Sequence, residues 1–492
     1  MSIREKRNGV FEGMVLTYAG RILGQLVGLV VSIVLARILM PDDYGVIAVV
    51  MIFLNIADVF ITDGFGNSII QKKVVSRIDY STVMDFSVVF SILMYVGLFT
   101  ASPAIASFFK MPILNIVIKV LALRLPLDAI NSVQQAYVSR NMLFHLQLIA
   151  SFAASIIAAI VGITMAMLGY GVWALVAQYM MNAVTMVVTT RLLIKQSFGY
   201  QFSFPVFKEL FSYGWKLLVT QLIDRTFGQI RGMAIGKMFT KADLAFYQRG
   251  QDYPNLLMSS IDSSMTRVIF PVISRCQDDL AEVRRLVSKT VQLSSFVVIP
   301  FLVLFYAIAD KLVLILLTEK WMPCVPFIRI FCIYYMCTPI KSAKYQAIKA
   351  IGRSDVSLWC EIIQKLIGLV ILIYTIFILR TVEAIAYGNW AFAIVTVLLT
   401  AIICRLYIQL PYKQQLKDIT HAFCIGVVMA VPLYMVTIFN ITIYWELTIQ
   451  CVVAAITFFG VAKLFKFHEY MQLRGTIMNF MQQINTKYKK QL

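Results

Sequence analysis

Arg21, Arg225, Arg231 and Arg249 each stand in a stretch dominated by apolar residues. A charge at the centre of a membrane helix costs about 2.5–3.5 kcal/mol on insertion scales, so such residues face a partner or a water-filled cavity. Too few acids share their helix faces to pair them all, which favours the cavity. Arg124 opens a further polar face with Asp128, Asn131 and Gln135 at i, i+4, i+7 and i+11. A guanidinium is a planar fork that donates two hydrogen bonds at once to a phosphate. The five arginines therefore read as a binding site for an anionic substrate, with Gln25, Gln221 and Asn255 as polar lining. Asp58, Asp252, Asp262 and Glu361 are acids in the same apolar stretches that could balance the arginines. Glycine and serine on the same faces read as close-packing positions between helices.

Catalysis finds little support. There is no Ser/His pairing, paired-carboxylate arrangement or metal constellation, and His145, His421 and His468 are too dispersed for a metal site. The eight cysteines are scattered through apolar runs and read as small hydrophobes. No catalytic residue, metal or cofactor is expected.

The elements that must position these residues are membrane helices. Apolar residues make up 60% of the 492-residue chain, above the roughly half of soluble domains. They form runs of about twenty residues, each long enough to cross the hydrocarbon layer. Fourteen spans are predicted, at roughly 14–35, 45–63, 82–104, 113–135, 146–168, 171–192, 213–236, 247–270, 291–317, 324–347, 356–379, 382–403, 420–439 and 443–463. The basic start MSIREKRNGVFEGMV runs into the first span without a small-residue cleavage site. The net charge of +19 is placed as a topology signal, not as a nucleic-acid footprint. With both termini cytoplasmic, Lys and Arg favour the inner connections by roughly four to one. Lys341, Lys344, Lys349 and Arg353 are counted in one such connection, and Lys119 and Lys311 are expected to snorkel to an interface.

A shift of about 200 residues lays ARILMPDDYG, after span one, on GKMFTKADLA, after span seven, and Asn55 on Asn255. Six intervening helices preserve orientation, so the halves would be parallel repeats with substrate between them. The expected organisation is an N-terminal lobe at 1–200, a C-terminal lobe at 201–410, two extra helices at 411–463 and a basic tail at 464–492. The stretch 204–211 is read as interfacial, and 463–490 either as a helix on the anionic cytoplasmic leaflet or as a partly disordered basic tail.

Four segments carry a family resemblance: LARILMPDDYGVIAV after span one, DGFGNSIIQKKVVSRIDYSTV between spans two and three, LVLILLTEKWMPCVPFIRI after span nine and QAIKAIGRSDVS before span eleven. In this order they resemble the multidrug/oligosaccharidyl-lipid/polysaccharide exporter superfamily, specifically Wzx-type flippases of its colanic-acid and teichuronic-acid branch. The resemblance implies an all-α membrane protein of two six-helix lobes, two further helices and alternating access. It implies an oligosaccharide on undecaprenyl pyrophosphate as substrate, held by the cavity arginines. It also implies a bacterial inner-membrane location and polysaccharide polymerase machinery as a partner. Ion coupling is the other role that it implies for Asp58, Asp252, Asp262 and Glu361. Na⁺, H⁺ and membrane potential all stay open as driving force. The alternatives are a cation-coupled multidrug exporter, whose cationic compounds this cavity would repel, and a membrane glycan polymerase or ligase. A polymerase would need a sizeable outer loop, and the longest outer connection is about ten residues. A non-transporting scaffold would need no buried arginines.

Overall fold

The computed structural model describes residues 24, 27–63, 75–194, 201–439, 441–465, 467–472 and 474–475. Among them every regular element is helical. The chain forms two compact units, Met1–Ala245 and Phe246–Leu492.

The first unit holds α1 (Val27–Ile38) and α2 (Pro41–Asp58), which runs on through a wider π-helical turn at Val59–Asp63. It continues with α3 (Arg77–Phe109), α4 (Ile113–Leu121), α5 (Arg124–Arg140), α6 (Phe144–Met167), α7 (Val172–Ile194) and α8 (Phe204–Met238). α9 (Lys241–Ser274) begins at the junction and lies mostly in the second unit. There follow α10 (Leu280–Leu316), α11 (Val325–Met336), α12 (Thr338–Ala350), α13 (Ser354–Tyr374), α14 (Val382–Ile403), α15 (Tyr412–Ile438) and α16 (Ile443–Leu464).

Ten stretches among the described residues are long and apolar enough to cross a membrane. They fall on ten of the fourteen predicted spans. The other four predictions fall on α1, on α4 with α5, on α8 and on α9. The last two are 35 and 34 residues long, so length is not what sets them apart. What sets them apart is polarity, and these are the helices that carry the candidate arginines.

The stretch 204–211, read as interfacial, forms the first turns of α8. Two expectations are revised. Lys341, Lys344 and Lys349 lie on α12, not in a connection. Lys311 does not reach water: it is buried, with Nζ 3.2 Å from Asp310 and 3.0 Å from Glu446 of α16.

The 200-residue repeat is visible in the helix breaks. α1 ends at Ile38 and α8 at Met238, while α2 starts at Pro41 and α9 at Lys241. Both restarts use the same device. Met40 N–H donates to the Asp43 carboxylate at 3.1 Å, and Thr240 N–H to that of Asp243 at 3.0 Å. A helix start leaves backbone N–H groups without partners, and an acid at the third position answers them. The two restarts also touch. Gly45 lies against the carbonyl of Lys241, where a Cβ would not fit, and Lys241 Nζ is 3.4 Å from Asp42.

Packing within the first unit rests on small residues. Ala150, Ala154, Ala158, Gly162 and Ala166 recur every fourth position on α6 and are all buried. This stripe admits α7 so closely that a Cβ on Gly162 would stand 3.0 Å from Gln178. In the second unit Phe296, Ile425, Met429, Leu433 and Ala454 join α10, α15 and α16 in one core. Phe467 and Tyr470 pack on that core, and His421 of α15 meets Glu469 at 3.0 Å, so the start of the tail is docked against protein.

The Lys311 pair is expected to be structural. Removing one member of a buried ion pair costs about 3–5 kcal/mol, whereas an apolar replacement of both is close to neutral. Lys311→Met should therefore lower the melting temperature of the purified protein, and Lys311→Met with Glu446→Leu should recover most of the loss. Equal loss in the single and double variants would show that the pair contributes nothing.

Candidate functional site

The break at Ala122–Leu123 between α4 and α5 places Arg124 in the first turn of α5. Its Nε donates to Asp128 at 2.7 Å, and its terminal nitrogen lies 3.9 Å from Asp58 at the end of α2. All three side chains are only partly exposed, between 14% and 27%. Arg124 borders a cavity of about 290 Å³ with Gly28 and Val31 of α1, Ser155 of α6, and Gln178, Tyr179 and Asn182 of α7. The close approach at Gly162 is what brings Gln178 there. The cluster joins Arg124 of the proposed substrate site to Asp58 of the proposed coupling acids. Two carboxylates engage the one guanidinium, so Arg124 is tied to protein acids before it can meet a phosphate.

Arg225 and Arg231 lie on α8 in the first unit, about 9 Å apart along the helix axis at 1.5 Å per residue. Arg225, Asp224 and Gln221 are exposed; Arg231 is half-buried, with its guanidinium 5.5 Å over the Phe227 ring. Arg249 lies on α9 in the second unit, its guanidinium 5.8 Å over the ring of Trp321. A cation over an aromatic face is held by the ring quadrupole. One residue on, Gly250 lies against Phe327 and the backbone N of Ile328, leaving no room for a Cβ. Tyr247 completes the fixing of α9, accepting at its hydroxyl from the Asn389 amide at 2.8 Å and meeting Phe331 edge-on at 5.3 Å. Asp252 and Asn255, one and two turns further along, are exposed.

Glu361 lies near the start of α13, where it accepts from the Tyr345 hydroxyl and stands 3.7 Å from Lys349. Arg21, Gln25 and the side chain of Asp262 lie outside the described residues. The lysines and tyrosine of α12 beside Glu361 were not among the sequence candidates. Their four-residue spacing, Lys341, Tyr345 and Lys349, was the available signal. Among the described residues no group of His, Cys, Asp and Glu is arranged to hold a metal.

Residues 34–326 match the family described as "Polysaccharide biosynthesis protein". The chain belongs to this family. Its curated relatives include the teichuronic acid biosynthesis protein TuaB of Bacillus subtilis, 21% identical over 76% of this chain and 78% of the relative. The succinoglycan biosynthesis transport protein ExoT of Rhizobium meliloti is 19% identical over 72% and 69%. The lipopolysaccharide biosynthesis protein WzxC of Escherichia coli is 22% identical over 73% and 72%. In fold the chain is similar to the lipid II flippase MurJ in an inward closed conformation, with a TM-score of 0.72 at 13% identity over 92% of this chain and 98% of that one. The Wzx-type resemblance drawn from the four sequence segments is borne out, as is an all-helical membrane fold. This family member is a multi-pass membrane protein of polysaccharide biosynthesis.

Arg124 supplies the test of the first-unit cluster. Arg124→Gln removes the guanidinium that Asp128 holds at 2.7 Å, at a cost of about 1–3 kcal/mol. Adding Asp128→Asn should return part of that stability, giving a coupling of about 1 kcal/mol or more in a double-mutant cycle read by thermal unfolding. Strict additivity would mean that the three groups do not act together.

Proposed function

We propose that the protein is a flippase, and not an enzyme, that carries polysaccharide repeat units linked to undecaprenyl pyrophosphate from the cytoplasmic to the outer leaflet. The observation that carries this reading is the polarity of α5, α8 and α9, which carry Arg124, Arg225, Arg231 and Arg249 in a chain whose other long helices are apolar enough to span a bilayer. In this reading α1, α5 with α4, α8 and α9 join those ten as fourteen spans, with both termini in the cytoplasm and the protein in the inner membrane.

In this proposal Arg21, Arg225, Arg231 and Arg249 hold the pyrophosphate, while Gln25, Gln221 and Asn255 meet sugar hydroxyls. Exposed Arg225 can take a bidentate phosphate contact without first leaving a carboxylate partner on another helix. Asp58 beside Arg124, and Glu361 beside Lys349, are the acids whose neutralisation would release a neighbouring cation, so they are the preferred sites of coupling to H⁺ or Na⁺. The names of TuaB, ExoT and WzxC place relatives in polysaccharide synthesis or its transport, and the MurJ-like fold supports movement of a lipid-linked molecule. A family role in surface-polymer assembly makes polymerase machinery a natural partner.

The test is flipping in proteoliposomes loaded with lipid-linked oligosaccharide, read by the fraction reached by an external sugar-cleaving probe. Wild type should expose more than half of the pool, and Arg21→Ala with Arg225→Ala should slow the approach about tenfold or more at unchanged protein abundance. Normal rates in the double variant would dismiss the arginine clamp. No gain over empty liposomes with several cognate glycans, together with efflux of cationic dyes, would move the protein to the multidrug-exporter class.

A further inference from the structure

In the second unit the last turns of α12, the first turns of α13 and the last turns of α14 meet at one end. α12 divides its faces sharply there. Ile340, Ala343, Ala347 and Ala350 are buried in a core with Val283, Val287 and Ile408. Lys341, Tyr345 and Lys349, at i, i+4 and i+8, form a stripe along the wall of a cavity of about 270 Å³. Across it stand Glu361 and Gln364 of α13, with Thr396 and Thr400 of α14.

The charges in this cavity do not cancel. Glu361 is served twice, by the Tyr345 hydroxyl and by Lys349, whose Nζ also lies 4.4 Å over the Tyr345 ring. Lys341 is half-buried and has no carboxylate within ion-pair distance among the described residues; its Nζ lies 5.4 Å over the Tyr334 ring. Lys344, on the other face, is committed to Gln415 at 2.7 Å. The cavity therefore holds one cation in excess, while Thr396 and Thr400 donate to backbone carbonyls, Gln364 to Cys360 and Tyr345 to Glu361. What it offers an anion is its ammonium groups, and lysine serves a phosphate as a point charge.

Size and surroundings narrow the anion. The volume lies just below the roughly 300–1,000 Å³ of pockets for drug-sized ligands, so it suits a head group and not an oligosaccharide. The outer face of α13 beside it carries Leu358, Trp359, Ile363 and Leu366, all exposed and apolar, as a helix facing lipid tails should. A phosphate bound here can keep an attached hydrocarbon chain in the bilayer, which a free phosphate would not need.

We propose that this cavity is a docking site for the phosphate head of a lipid, a diphosphate ester being the best match to two ammonium groups. Resting on the flippase reading, it is a loading site at the cytoplasmic end of the second unit, built from lysines and not from the proposed arginines. Glu361 competes with the phosphate for Lys349.

The experiment titrates full-length protein, in nanodiscs of neutral lipid, with a short-chain polyprenyl diphosphate and with inorganic pyrophosphate, following Trp fluorescence. Lys341→Gln and Lys349→Gln should each weaken binding of the lipid about tenfold. Glu361→Gln should tighten it severalfold, a direction that a misfolded variant does not produce. Inorganic pyrophosphate should bind at least about tenfold more weakly than the lipid. Unchanged affinity in both lysine variants, or weaker binding in Glu361→Gln, would overturn the site; equal affinity for pyrophosphate would overturn its assignment to a lipid. The flipping assay on the same samples separates the two readings. Flipping by wild type without this binding pattern removes the docking site alone, and the pattern without flipping removes the transport function alone.

Discussion

Hydrocarbon offers a polar group no partner, and the placement of nearly every charge in this protein follows from that. A soluble protein can leave a lysine to water at little cost. A helix bundle in lipid must give it a carboxylate, an aromatic face, an amide or a cavity. All four solutions are present: Lys311 on Asp310 and Glu446, Arg249 over Trp321, Lys344 on Gln415, and Arg124 at the edge of a cavity. Gln415 is itself secured, its amide donating to the carbonyls of Ala401 and Leu410. The structural charges end in short, local networks. Those set at an aromatic face or a cavity, such as Arg249 and Lys341, keep a charge to offer a ligand.

Rigid packing makes that distinction hold. The small-residue stripe of α6 and the seat of Gly250 on α11 fix helices at backbone-to-backbone range, where no flexible side chain can absorb a shift. Gln178 and Arg249 are thus delivered to their places by neighbours that contribute no chemistry of their own. The matching caps at Asp43 and Asp243 do similar work at the helix breaks, setting where α2 and α9 begin.

The helices were legible because apolar runs of spanning length have few alternative explanations. Span edges fell within a few residues of α6, α7, α13 and α16, where an apolar run and a helix end together. They fell short for α8 and α10, because those helices continue past the apolar run into charged turns. Arg124 was legible as a polar residue on a helix face, but its two carboxylates were not both predictable, since Asp58 comes from α2. Lys341 and Lys349 were hidden by their usefulness as a topology signal. Counting them as loop charges gave a consistent orientation and left no reason to ask which way they pointed. Lys311 failed for a different reason: its partner lies 135 positions away, beyond any local pattern.

That separation bears on how the protein is made. Membrane helices leave the ribosome in order, and α10 enters the bilayer well before α16 exists. During that interval Lys311 has only its neighbour Asp310 to share its charge. The last helix then brings Glu446 and closes the ammonium off from lipid. A chain cut short before α16 would therefore carry an incompletely neutralised cation, and the fold of the second unit is completed only by its last helix.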